Sequence, residues 1–217
     1  MDTRNLSIDA VLFDYGMVLS GPPDPVAWES LRRVSGFDEA KLQLAYWAHR
    51  LDYDRGTMTA GQYWQAVAKT GGLAGDAPFS ELQMDALIDA DTALWTQLNE
   101  PMVAWAARLQ SAGIRTGILS NIGDAMMHGI LAKFTWLEGF DHHTWSHQLK
   151  LAKPELAIYR HATEGLGVEP AKILFIDDRE ENIAGALRAG MQAIQYSGHE
   201  AFVRELHDRG WGALWLA

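Results

Sequence analysis

The chain has 217 residues, 48% of them apolar, and a formal net charge of −10. That length buries a substantial core as one domain, or one domain with a large insertion, while the acidic balance argues against a nucleic-acid or anionic-membrane partner because its field repels phosphates. With no cysteine present, disulfides, thiolate metal sites and a cysteine nucleophile are excluded.

Residues 1–9 lack the charged start and apolar run of a secretion signal, and no stretch approaches membrane-spanning length, so a cytoplasmic protein is the expectation. The apolar run 10–13 reads as a buried strand that ends at Asp14, with Gly16 two residues on. A carboxylate there sits at the carboxyl edge of a sheet, where open α/β sheets bind ligands, although a turn-forming aspartate has the same local signature. The proline-rich stretch 20–25 interrupts regular structure, and Asp24 before Pro25 supplies a helix cap and a first-turn proline. Helical spacing then predicts helices over 26–33, 38–51, 59–69 and 80–98, with capping-box pairs Thr59/Gln62 and Ser80/Gln83. Trp28, Trp47, Trp64 and Trp95 fall in this section; most are expected to pack between helices and a minority to face a pocket.

From Asn99 the pattern alternates. Helices near 102–111, 124–133, 155–165, 180–189 and 200–208 are interleaved with strands at 116–119, 173–176 and 192–196. Such alternation predicts an α/β fold with a parallel sheet covered on both faces, and the earlier helices read as an insertion after the first strand. His142, His143 and His147 read as a polar loop rather than a metal cluster, since no further ligands accompany them.

Three of these later segments join Asp14 at the predicted sheet edge. The strand 116–119 ends in Ser120 and Asn121, small donors suited to an anionic oxygen. Pro154 is expected to begin a helix and to hold Lys153 extended at its entrance, where a compact charge neutralises phosphate. The strand 173–176 runs into Asp177 and Asp178, which repel each other unless hydrogen bonds or a cation offset the charge; magnesium, which takes oxygen ligands, is the natural candidate. Alone, each segment also reads as an ordinary turn or helix cap.

In this order the segments resemble the four motifs of the haloacid dehalogenase-like (HAD) hydrolase superfamily. The resemblance implies a Rossmann-like parallel sheet core with an inserted helical cap, here placed at 1–19 and 99–217 for the core and 20–98 for the cap. The stretch 53–64 also looks like the cap of the branch containing glucose-1-phosphate phosphatase-like sugar phosphatases. Asp14 then matches the nucleophile that forms an aspartyl phosphate, Gly16 the residue whose carbonyl binds magnesium, and Asp178 a direct carboxylate ligand, with Asp177 behind it. Ser120 and Lys153 match the groups holding the phosphoryl oxygens, aided by Asn121 and the amides of Tyr15 and Gly16. Asn182 stands where many relatives carry a further acid, and its amide is expected to orient Lys153 or Asp178.

One departure matters. Most phosphatases of the superfamily carry an acid two residues after the nucleophile, and Gly16 cannot transfer a proton. General acid–base help is worth ~10²–10⁴-fold, so a water or a cap residue is expected to supply it, with His49 and Tyr53 as candidates. Arg50, Tyr53 and Arg55 are candidate contacts to substrate hydroxyls or anions. The leading expectation is magnesium-dependent hydrolysis of a small phosphorylated metabolite. Dehalogenation of a 2-haloacid, which uses the aspartate without a second acid, is the alternative enzyme, and a phosphate-binding or signalling module the alternative outside catalysis.

Overall fold

A computed structural model describes residues 7–75 and 77–216; the first six residues of the segment read for a leader lie outside that range. Five parallel strands, β1 (Ala10–Phe13), β2 (Arg115–Ser120), β3 (His142–Trp145), β4 (Ile173–Asp177) and β5 (Gln192–Gln195), form one sheet in the order β3-β2-β1-β4-β5. The central strands are apolar on both faces because helices cover both. Val11, Phe13, Ile118, Leu174 and Ile176 face one layer, and Ala10, Leu12, Leu119, Ile173 and Phe175 face the other, following the two-residue period of a strand.

The first layer is completed by helices α6 (Glu100–Ser111), α7 (Asp124–Lys133) and α11 (His199–Asp208), and the second by α9 (Leu156–Leu166) and α10 (Glu180–Arg188). Trp105 of α6 meets the Phe13 ring edge-on at 5.5 Å. Chain order places β2 and β3 on one side of β1 and β4 and β5 on the other. The crevice where the order reverses therefore lies between the ends of β1 and β4.

Helices α1 (Pro25–Ser35), α2 (Glu39–Ala48), α3 (Arg50–Arg55), α4 (Ala60–Thr70) and α5 (Glu81–Leu94) form a separate cluster around Tyr46, Tyr63, Trp64 and Leu87. Asp24 caps α1 by accepting from the Val26 N–H at 2.8 Å, and both expected capping boxes are formed. Two chain segments join this cluster to the sheet. They pair with each other through an antiparallel bridge between Ser20 and Leu98, with Gly21 N–H donating to the Gln97 carbonyl at 2.7 Å.

Several expectations need correction. The helix predicted over 38–51 is broken at His49, whose φ of −121° ends α2 and lets α3 start in a new direction. The helix predicted to reach residue 98 stops at Leu94, because 95–98 are drawn into the crossing segment. Helix α9 begins at Leu156, so Pro154 lies in a turn before it. The histidine stretch is not a loop: His142 and His143 lie on strand β3, and His147 lies in the short helix α8 (Ser146–Leu149). Their rings pack as flat half-apolar bodies, His143 stacked on Trp145 at 5.5 Å and His142 beside His161 at 5.3 Å, which hides the strand from a hydrophobicity pattern. No helix among the described residues is long and apolar enough to cross a membrane.

Candidate active site

Asp14 follows β1 directly, and its backbone N–H continues the ladder to the Ile176 carbonyl at 2.9 Å, which fixes it beside the end of β4. Its Oδ1 accepts from the Tyr15 amide at 2.7 Å and meets Lys153 Nζ at 2.9 Å. The same ammonium donates to Asp177 Oδ2 at 2.6 Å and lies 5.5 Å from the Phe175 ring centroid. Asp177 is wholly buried, and its remaining capacity is taken by the Arg179 amide and by Asn182 Nδ2 at 2.9 and 3.0 Å. Asn182 therefore orients Asp177, rather than Lys153 or Asp178. Asp178 is half-buried and turns into the cavity.

Carboxylate oxygens of Asp14, Asp177 and Asp178 lie within 4.8 Å of one another. Three acids against one ammonium leave two uncompensated negative charges in a poorly solvated place. Burial raises Asp14 to about 7, partly offset by Lys153 and reinforced by Asp177. Burial works against the Lys153 charge too, but Asp14 and Asp177 outweigh it and hold the ammonium above its ordinary range. Burial, then the neighbouring Asp177, raises Asp178. A divalent cation between Asp14 and Asp178 fits this excess in charge and in ligand type, because both offer hard carboxylate oxygens.

Ser120, at the buried end of β2, and Asn121 both line the cavity. The Asn121 side chain is committed to the Lys153 backbone, accepting its N–H at 2.8 Å and donating to its carbonyl at 3.1 Å. Those two bonds tie it to the Lys153 backbone and leave one Nδ2 hydrogen for other partners. Asn121→Ala is expected to cost about 1–3 kcal/mol of stability, since buried backbone groups lose their partners, and to lower kcat roughly tenfold by loosening Lys153. Thermal melts and steady-state kinetics check this; a wild-type kcat would remove the positioning role.

The cavity above Asp14 has a volume of about 620 Å³. It is also lined by Trp47, Leu51, Trp95 and Met126, together with Arg50 and Asp54. Two of the four tryptophans in the cap thus face the cavity, while Trp64 is core. Of the basic candidates only Arg50 lines it, for Arg55 pairs with Glu155 at 2.5 Å. The proton-donor candidates His49 and Tyr53 are misplaced. His49 Nε2 meets Thr70 Oγ1 at 2.9 Å away from the cavity, and Tyr53 is buried, stacked on Tyr63 with ring centroids 4.7 Å apart. Asp54, the cavity carboxyl one residue beyond Tyr53, was missed; neighbouring acids in a charged stretch look alike in sequence, and only the break at His49 turns this one inward.

An α/β sheet with a lone acid ending its first strand, an acid pair ending its fourth and a lysine joining them defines a class that handles anions and cations at a topological switch point. The chain belongs to the haloacid dehalogenase-like hydrolases, whose family model matches residues 8–190. It is 26% identical over 215 residues to phosphatase MT3486 of Mycobacterium tuberculosis, covering 94% of this chain and 96% of that one. It is also 30% identical over 87 residues to (S)-2-haloacid dehalogenase 1 of a Pseudomonas species, a match spanning 40% of this chain and 38% of the relative. A HAD family enzyme of Bacteroides thetaiotaomicron, solved with magnesium and inorganic phosphate, shares the fold with a TM-score of 0.70 at 22% identity, over 89% of this chain and 96% of that one.

Proposed function

We propose that the protein is a magnesium-dependent phosphatase that hydrolyses a small phosphomonoester through an aspartyl phosphate on Asp14. The carrying observation is the Asp14–Asp177–Asp178 cluster with two uncompensated charges. Such a centre suits a divalent cation with a phosphate and repels the carboxylate of a haloacid. The phosphatase relative, similar along nearly its whole length, and the fold neighbour holding magnesium and phosphate support the reading.

In the reaction, Asp14 attacks phosphorus in line with the leaving oxygen, and water later cleaves the acyl phosphate. Lys153, held by Asn121 and Asp177, keeps Asp14 oriented and offers its charge to the transferring group. Ser120 and the Gly16 amide are the donors nearest to hand for the phosphoryl oxygens, while the Tyr15 amide is held by Asp14. Magnesium, taken by Asp14, Asp178 and the Gly16 carbonyl, would supply charge neutralisation and favour the ionised form of Asp14.

Dehalogenation remains the second reading, favoured by Gly16 and by the dehalogenase relative. Phosphate release from 4-nitrophenyl phosphate and a sugar-phosphate panel, with magnesium or with chelator, separates the two. Metal-dependent phosphate release is expected; halide release from 2-chloropropionate without metal would transfer the assignment.

A further inference from the structure

An alkoxide is a poor leaving group, so phosphate-ester cleavage needs a proton delivered opposite the nucleophile. Gly16 provides none, and the backbone does not force a glycine there. Its φ of −64° and ψ of 134° suit any residue, and a Cβ would meet only Trp95 ring carbons at 3.8 and 3.9 Å. Resting on the phosphatase reading, we propose that the Asp54 carboxyl protonates the leaving oxygen and then takes a proton from the attacking water.

Asp54 is a carboxyl that the cap, rather than the sheet, contributes to the cavity holding Asp14. Helix α3 is pinned where it carries Asp54. Ser146 Oγ donates to the Asp54 carbonyl and accepts the Ile122 N–H at 2.8 Å, and the Gly123 N–H lies against the Asp54 carboxyl. Added Cβ atoms show how close the seam is: one at Gly123 would lie 2.1 Å from the Tyr53 ring, and one at Gly56 2.4 Å from the His147 carbonyl. The Asp54 carboxyl thus lies against Gly123, three residues along the chain from Ser120, and both Asp54 and Ser120 line the cavity that holds Asp14.

Its surroundings serve both protonation states. Arg50 Nε meets Asp54 Oδ1 at 2.9 Å, while Arg50 also pairs with Asp91 of α5 at 2.9 Å and with the Tyr46 hydroxyl of α2. Tyr63 of α4, Asp124 of α7, and His147 and Lys150 around α8 are further titratable groups beside α3. Burial raises the Asp54 carboxyl to about 6, with Arg50 opposing the rise and Asp91 adding to it. It therefore holds a proton in mildly acidic solution and becomes a carboxylate stabilised by Arg50 once the proton has gone.

The balance closes in two steps. Asp14 bonds to phosphorus, the P–O bond to the leaving group breaks with its electrons on oxygen, and the Asp54 proton converts that oxygen to an alcohol. Water then attacks phosphorus and gives a proton to Asp54, the bond to Asp14 breaks, and phosphate, the Asp14 carboxylate and neutral Asp54 result.

The test uses 4-nitrophenyl phosphate and unsubstituted phenyl phosphate with magnesium. Nitrophenolate leaves readily without a proton, whereas phenolate does not. Asp54→Asn is expected to lower kcat/KM for phenyl phosphate about 10²-fold, and at least tenfold more than for 4-nitrophenyl phosphate; Asp54→Glu should recover most of the difference. In the wild type, the ratio of phenyl to nitrophenyl kcat/KM should fall as pH rises through about 6. Equal losses on both substrates in a folded Asp54→Asn, or no loss, overturn the proposal. So does a flat wild-type ratio, which decides the matter even if the variant does not fold. Failure of the wild type on both esters would instead remove the phosphatase reading itself.

Discussion

Lys153→Met is expected to lower stability by about 3–5 kcal/mol and to remove most turnover, because the change strips the cation shared by two buried carboxylates. Lys153 is almost fully enclosed, and its contacts at 2.9 and 2.6 Å go to Asp14 and Asp177. Methionine fills similar volume, so the loss reports charge rather than a cavity. For a chain of this length each kcal/mol shifts Tm by roughly 2–4 °C, which makes the fall large enough to read in a simple melt. The deficit should shrink as pH falls. Asp14 without its cation has a carboxyl raised still further, and protonating it removes the penalty. Assayed below the lowered Tm, kcat should drop about 10²–10³-fold, the scale for losing one electrostatic stabiliser of the transferring group. A variant as stable as wild type, or one retaining kcat, would show that Lys153 is not the charge on which the site is built.

That lysine illustrates how far sequence reasoning reaches. Strands ending in Asp14, Ser120 and Asp177 were readable because continuous apolar runs terminate abruptly in polar residues, and a parallel sheet places all such ends on one edge. The capped starts of α1, α4 and α5 were readable because their signals are local. Strand β3 was not, for its ladder to β2 is a long-range pairing and three of its four residues are histidines and a threonine. Local sequence cannot distinguish such an edge strand from a loop.

In the site, residue types were legible and pairings were not. Asn121 is spaced correctly to touch a phosphoryl oxygen, yet both its hydrogen bonds go to the Lys153 backbone 32 residues away. Asn182 likewise serves Asp177. The cap was least legible of all, because its contribution depends on helix direction. A break at His49 redirects α3, burying Tyr53 beneath Gly123 and turning Arg50 and Asp54 to the cavity. The functional side chains of an inserted cap are thus set by how it docks, which no periodicity encodes.

Asp14→Asn is expected to abolish turnover, by roughly 10⁴–10⁶-fold, while making the metal-free protein more stable in neutral and alkaline solution. The first effect follows from loss of the nucleophile, since an amide oxygen forms no stable acyl phosphate. The second follows from the site's charge. In the folded chain burial lifts Asp14 from 3.8 to about 7, so with chelator present the fold loses stability as pH rises through that range. Asparagine removes the penalty and keeps a side-chain oxygen for the Tyr15 amide, while Lys153 retains Asp177. The variant should melt a few degrees above wild type at pH 8, and the gain should shrink as pH falls through 7 and vanish only below about 3.8, where the unfolded wild type is protonated as well. Magnesium should reverse the order, since it stabilises whichever protein binds it more tightly, and Asp14 is one of its two carboxylate ligands in the proposed site. Melts of both proteins at pH 5 and 8, with chelator and with magnesium, test the whole chain of reasoning. An Asp14→Asn protein less stable at both pH values would mean that the bond to Lys153 outweighs the repulsion, and the case for a cation drawn in by excess negative charge would go with it.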